Sequence, residues 1–550
     1  MARLGSTASL WGIWIGWNLF TIQVAAQELS PSVRPIKPSE SAVSAWLENN
    51  RHRPPRLRAF VQRMPKGGDI HTHLSGAVYA EHYLRWAASE GYCVDPAGPS
   101  LVPPKNCGTG STFFAASELT KKPAIYDKLV NLWSTRNLAY ANRSGHDRFF
   151  EAFTEFDLLS SSRSLQDEMV AEVANRAASQ HTFYLELLLT LRGSEVRQLG
   201  RTVGWSGNFA QMRQQLLNAG LTNLVAKGAQ DLATLNTEVA NRLRCGTAQA
   251  QPGCEVTVRF MQQTTRTRPP EEVFAQFVYA FELARSNSGI VGVNLVAPED
   301  HPIALRDYTL QMQMVQYLKT LFPEVKVSLH AGELTLGLVP PEELRFHIRQ
   351  AVQLAQADRI GHGVGIMYEE QPFQLLEEMR RRGVLVEICL TSNAVILNVK
   401  GEEHPFLDYR AVGVPLTLAS DDEGISRIDL SNEYLLAAKQ YDLSYPELKD
   451  LARNSLEYSF LKGESLWESP RYARIKPPCA EDIPGSAALS SRCASFLNGS
   501  DRAKAQWKLE SEFATFEAIP SFRSSARATP ASKRQQLPRS PLSPQLRPAG

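Results

Sequence analysis

The 550-residue chain lacks most of the short motifs that mark nucleotide-binding and acyl-transferring enzymes. No GxGxxG follows the first strand-like run, which counts against a dinucleotide-binding sheet. No P-loop is visible, and the absence of a GxSxG nucleophile elbow argues against serine acyl chemistry. Excess charge of one sign is also missing. The formal net charge is +2, and that balance includes a basic tail. Neither nucleic acid nor a membrane surface is therefore expected as the main partner. There is no internal repeat, and cysteine is sparse, with seven residues in the whole chain.

What is present fits a globular protein with a large core: 43% of residues are hydrophobic and 21% charged. The N-terminus carries Arg3, the apolar run LWGIWIGWNLF and the small residues Val24-Ala25-Ala26 before Gln27. That order predicts a signal peptide over residues 1–26, cleaved after Ala26, and an exported protein, secreted or periplasmic. The apolar run is short for a membrane span, so no membrane association is expected of the mature form. Residues 27–63 form an N-terminal extension with one short helical stretch, SAVSAWLENN. Six cysteines fall into three local pairs, Cys93 with Cys107, Cys245 with Cys254, and Cys479 with Cys493. Nearest-neighbour disulfides are preferred among fifteen pairings and suit an oxidising compartment. Cys389, in the apolar run VLVEICL, reads as a buried free thiol. Asn142 and Asn498 fit the glycosylation pattern. From Ser521 the chain is rich in Ser, Pro and Arg, which predicts a flexible tail over 521–550.

Between these ends, strand-length runs alternate with helical patterns. The predicted strands are 68–74, 182–190, 255–262, 289–297, 326–333, 359–365, 384–393 and 414–423. Eight strands with intervening helices point to a parallel (β/α)8 barrel over about 64–465, with a doubly wound open sheet as the competing fold. The interval 75–181 is too long for a simple crossover and reads as an insertion holding extra helices, KPAIYDKLVNLWSTRNLAYA among them. Residues 430–460 read as closing helices, and 466–520 as a C-terminal extension with a local disulfide.

The unusual polar residues sit where these strands end. His71 and His73, two apart in one strand, project to the same face. His330 and Glu333 follow in SLHAGE, His362 in RIGHG, and Asp421 and Asp422 in LASDDE. Each alone has a plain structural reading: a core histidine bonded to a carbonyl, or an aspartate capping a helix. Four such clusters at corresponding strand ends suggest a hydrolytic metal site. Three imidazoles and a carboxylate suit Zn²⁺, with Fe²⁺ and Mn²⁺ as alternatives. A metal so held lowers the pKa of water toward ~7. Glu333 would donate or accept a proton. His362 would orient or deprotonate the water, or stabilise an oxyanion. Asp422 would bond to substrate.

These stretches, MPKGGDIHTHLSG, SLHAGE, RIGHG, EICLTSN with HPF downstream, and LASDDEG, resemble the adenosine/AMP deaminase family of the amidohydrolase superfamily. The extension, export signal and local cysteines look like its secreted growth-factor-related branch or its bacterial exported members. The resemblance implies one Zn²⁺ per chain on His71, His73, His330 and Asp421, the last also counted with the catalytic groups. It implies Glu333 protonating purine N1, His362 assisting the attacking hydroxide, and Asp422 bonding to N7. The implied reaction converts adenosine, and also 2′-deoxyadenosine, to inosine and ammonia. Secreted relatives dimerise through an N-terminal extension, so a homodimer is expected. Two positions depart from the family pattern. Ser75 stands where an aspartate contacts the ribose, and Ala297 stands where a glycine offers its N–H to the purine. No basic phosphate-binding cluster is evident along the chain, which places AMP behind adenosine; another adenine compound, or a secreted adenosine-binding protein without catalysis, are the alternatives. The HxE…PCxxC signature of the cytidine-type deaminases is absent.

Overall fold

The computed structural model describes residues 38–108 and 112–525. The predicted signal peptide, residues 27–37 of the extension and the tail beyond 525 lie outside the described residues.

Eight parallel strands form one sheet: β1 Gly67–His73, β2 Thr182–Leu189, β3 Thr257–Thr265, β4 Ile290–Val296, β5 Lys326–Ala331, β6 Arg359–His362, β7 Leu385–Ile388 and β8 Leu416–Leu418. They lie in sequence order, each hydrogen-bonded to the next. The first and last edges are joined by a bridge between Thr72 and Asp421. There Asp421 N–H donates to His71 O at 3.0 Å and His73 N–H donates to Asp421 O at 2.9 Å. The chain is thus a (β/α)8 barrel and not an open sheet. β1, β2, β6, β7 and β8 are buried along their whole length, as strands covered on both faces must be. The seam is held further by Asp69, whose carboxylate accepts from the Ser420 hydroxyl at 2.5 Å. Beneath it, Arg359 lies between Glu186 at 2.6 Å and Glu387 at 2.5 Å, all three inside the barrel. A buried cation needs such paired partners.

Several boundaries differ from the sequence reading. β7 stops at Ile388, and Leu390–Ile396 is helical although LTSN reads as β-prone. The Glu433 carboxylate decides this by accepting from Thr391 N–H at 3.1 Å at the helix start, a partner no local window reveals. β8 is only three residues long because Asp421 turns the chain with φ +59° before the helix Glu423–Ser426. In the insertion, the predicted long helix is Pro123–Leu132, ended by Trp133 and by a left-handed Asn137 (φ +61°). A small antiparallel sheet of Cys93–Asp95, Ser100–Val102 and Phe114–Ala115 was not foreseen. The three local disulfides are all present, and Cys389 is free and buried.

The expectation of a tail beginning at Ser521 is corrected. Residues Pro520–Ser525 are helical, and Phe522 is buried against Trp46, Phe60 and Phe516. One large apolar side chain suffices to pin this turn, despite the polar composition around it. The same cluster fastens the helices Pro38–Asn50 and Pro54–Arg63 to the helix Asp501–Glu517.

Candidate metal centre and active site

The barrel closure carries His71, His73 and Asp421 to one point, and β5 brings His330 to it. His71 Nε2 and His73 Nε2 lie 3.1 and 3.2 Å from His330 Nε2. Asp421 Oδ1 lies 3.4 Å from His71 Nε2 and 3.2 Å from His73 Nε2. All four side chains are buried. Ligands about 2.0–2.1 Å from a tetrahedrally bound zinc stand ~3.3 Å apart, so this donor set fits such an ion.

Each imidazole is aimed by a bond on its other nitrogen. His71 Nδ1 is 2.6 Å from Glu387 Oε2, His73 Nδ1 2.7 Å from Gln263 Oε1, and His330 Nδ1 2.8 Å from Asn294 Oδ1. With Nδ1–H donated to these oxygens, each Nε2 lone pair faces the common centre. The sequence reading missed Glu387 and Gln263 and gave Asn294 no role. A glutamate inside the apolar run VLVEICL was the signal available for Glu387.

Burial disfavours a proton on His71, but Asp421 and Glu387 outweigh it and raise its pKa to about 10. The protein thus favours a positive charge where the imidazoles converge, as a cation site should. Burial would raise Asp421, yet hydrogen bonds from His71 and His73 hold its carboxyl well below the usual range. Glu333 behaves oppositely: burial, then the charges of Asp421 and Glu299, push it well above normal. Asp422 is likewise pushed up by burial and by Asp421. The surroundings therefore favour the protonated form at Glu333 and Asp422 and the ionised form at Asp421, an acid-and-ligand division set by environment. Glu333 Oε1 and Asp422 Oδ1 are buried and have no hydrogen-bond partner among the described residues. Unpaired buried oxygens of this kind mark a place for a ligand.

The turn carrying Glu333 is fixed by Glu299, another residue the sequence did not disclose. Its carboxylate accepts from Gly332 N–H at 3.0 Å, Glu333 N–H at 2.9 Å and His347 Nδ1–H at 2.6 Å. His362 packs edge-on against His71, with ring centroids 5.2 Å apart, and burial lowers its pKa to about 3. His362, Asp421 and Ala297 all hold positive φ, +67°, +59° and +87°. Non-glycine residues in that region cluster at functional sites. Ala297 thus adopts the backbone angle that a glycine would take with less strain.

Ser75, in the turn Leu74–Ala77, lines a cavity of about 690 Å³ together with Gln263, the partner of His73. Arg163, Arg192 and Arg197 line the same cavity. Arg192 and Arg197 come from the start of the helix Gly193–Val203, and the fold adds Arg163 from a separate turn. Arg163 and Arg192 are paired to Asp231, both at 2.5 Å. Arg197 is less satisfied: its acidic neighbour Glu272 lies 3.9 Å away and is engaged by Arg201 at 2.8 Å.

A sequence model described as adenosine deaminase matches residues 127–466. The match includes His330, Glu333, His362, Asp421 and Asp422 and begins beyond His71 and His73. An adenosine deaminase of Clostridium perfringens is 33% identical over 140 residues, 25% of this chain and 39% of that protein. The matched stretch therefore spans about two fifths of that relative's length. An N6-mAMP deaminase of Arabidopsis thaliana is 27% identical over 322 residues, 57% of this chain and 80% of that protein. The crystal structure of the Arabidopsis N6-mAMP deaminase aligns with a TM-score of 0.48 at 22% identity, over 74% of this chain and 96% of that one. With a match across most of its length, the chain belongs to the adenosine deaminase family.

Proposed function

We propose that this chain is an exported, zinc-dependent deaminase that converts adenosine, and 2′-deoxyadenosine, to inosine and ammonia by hydrolysis. One observation carries the reading: three aimed imidazoles and Asp421 converge beside the buried Glu333, whose surroundings favour its protonated form. A pure binding protein needs no acid beside such a cluster, which disfavours a non-catalytic role.

His71, His73, His330 and Asp421 would hold the metal. A zinc ion there supplies Lewis acidity, which makes water a competent nucleophile near neutral pH. The chain's own groups do the rest. Glu333 gives its proton to purine N1 as a water oxygen bonds to C6, which makes the ring accept electrons. Asp422, protonated, donates to N7 and sets the ring's orientation. The backbone of Ala297 faces the base, and Ser75 the sugar. The C6–N bond then breaks and the nitrogen leaves as ammonia with one of the two water protons, while the other water proton returns to Glu333. Burial of the whole set excludes bulk water, so each hydrogen bond counts for more.

A second reading changes only the far end of the substrate. The arginine-lined cavity beside Ser75 suits a sugar bearing an anion, such as a 5′-phosphate. The test is ultraviolet absorbance of zinc-loaded protein with adenosine, 2′-deoxyadenosine, adenine and AMP, beside Glu333→Gln. Adenosine turnover abolished in the variant supports the first reading. Preference for AMP that disappears in Arg197→Ala moves the substrate to the second. Stoichiometric metal without any turnover overturns both.

A further inference from the structure

Two stretches, Thr391-Ser392-Asn393 and His404-Pro405-Phe406, hold neither metal nor substrate in the scheme above. Asn393 and His404 are nonetheless fully buried. Asn393 lies between two imidazoles. Its Nδ2 is 3.0 Å from His362 Nδ1, and its Oδ1 is 3.1 Å from His404 Nε2.

The direction of this chain of bonds is set at its far end. Phe406 N–H donates to His404 Nδ1 at 3.1 Å. A backbone N–H is a donor in every protonation state, so His404 Nδ1 is an acceptor and carries no proton. Burial lowers the His404 pKa to about 4, so the ring is neutral and its single proton is on Nε2. A donor there requires an acceptor opposite, which assigns the Asn393 oxygen to His404. The Asn393 NH₂ group is then turned to His362 and donates to Nδ1. Glu333 Oε1, at 3.5 Å from that same nitrogen, is too distant to compete.

We infer that Asn393 and His404 are positioning residues that hold His362 in its Nε2–H tautomer, so that His362 presents the reacting oxygen with a hydrogen-bond donor and not with a base. The inference rests on the proposed deamination and selects among the roles open to His362. A donor aimed where negative charge develops stabilises the addition at C6. With its Nε2 lone pair already protonated, the ring cannot take the proton of the attacking water, which must pass to a carboxylate of the site. The two stretches then have a reason to be fixed: Phe406 N–H is the anchor, and each residue transmits its polarity one step inward.

The test reads the tautomer directly, by ¹⁵N spectra of the full-length, zinc-loaded protein labelled at histidine nitrogens, with His362→Gln assigning the His362 signals. The expected result is a bare Nδ1 and a protonated Nε2. In Asn393→Asp the carboxylate accepts from both rings, so the His362 proton should move to Nδ1. kcat should then fall by about 100-fold with KM little changed, the scale of losing one oxyanion donor. His404→Gln keeps a donor toward Asn393 and should retain the tautomer and most of the rate, whereas His404→Phe frees the amide to turn and should mix the tautomers. Wild-type protein with its proton on Nδ1 overturns the inference, as does Asn393→Asp with unaltered tautomer and kcat. The spectra need no turnover, so a chain that deaminates nothing still tests the relay. An active chain with His362 protonated at Nδ1 refutes the relay alone.

Discussion

Gly76 occupies a position where only hydrogen fits, and replacing it tests the role given to Asp422. A Cβ built on Gly76 would lie 1.6 Å from Asp422 Oδ1, 2.4 Å from its Cγ and 2.8 Å from its Cβ. Because the clash reaches Asp422 Cβ, rotating the carboxyl group cannot relieve it, and Asp422 has to be displaced. In Gly76→Ala the hydrogen bond to purine N7 should therefore be lost, while His71, His73, His330 and Asp421 keep their metal. An unmade hydrogen bond in a buried site costs about 1–3 kcal/mol, or about 5- to 150-fold in kcat/KM. Overpacking adds a stability loss of about 1–3 kcal/mol. The discriminating assay compares adenosine with 7-deazaadenosine, which has no N7 acceptor. Wild-type protein should prefer adenosine by that 5- to 150-fold margin. Gly76→Ala should process the two alike, with zinc content unchanged. A variant that still prefers adenosine by the wild-type margin would show that Asp422 does not read N7.

Other expectations follow from single contacts. In Gly361→Ala, a Cβ would lie 2.7 Å from His71 Cε1; zinc per chain, read by elemental analysis, should fall well below one. Lys66 is fully buried, its Nζ donating to Met64 O and Gln180 O, and burial lowers its pKa from 10.5 to about 7. Between those values the unfolded chain binds more protons than the folded one, so stability should rise with pH from 7 to 10.5, by up to a few kcal/mol. Thermal midpoints of Lys66→Met across that range should lose this rise, and an identical slope would refute it. Phe522→Ala, which empties the centre of the cluster around Trp46 and Phe516, should cost about 3–5 kcal/mol in urea unfolding.

The convergent groups were legible because their chemistry is conspicuous: histidines and acids where apolar strands stop. His71, His73, His330, Glu333, His362, Asp421 and Asp422 all meet at one end of the barrel. Their supports were harder to see. Gln263, Asn294 and Glu299 are ordinary polar residues whose partners come from other strands and loops, so no spacing rule links them. Helix starts such as Leu390 depend on a distant carboxylate, and the short β8 depends on one left-handed aspartate. The arginines around the Ser75 cavity come from two segments, Arg163 from one turn and Arg192 with Arg197 from the start of the helix Gly193–Val203, which is why a reading along the chain did not group all three.

The seam between β1 and the segment after β8 has a consequence for how the protein is made. Two of the convergent imidazoles are synthesised early and their carboxylate partner late, with most of the barrel between them. A chain that has emerged only as far as β7 owns three imidazoles but no Asp421, and its sheet has an open edge. Full affinity for a metal can exist only once the last strand docks on the first. Metal capture would then act as a clasp, linking regions remote in sequence and draining the population of open-edged chains by mass action. The metal supply would then set the yield of closed barrels as well as their activity.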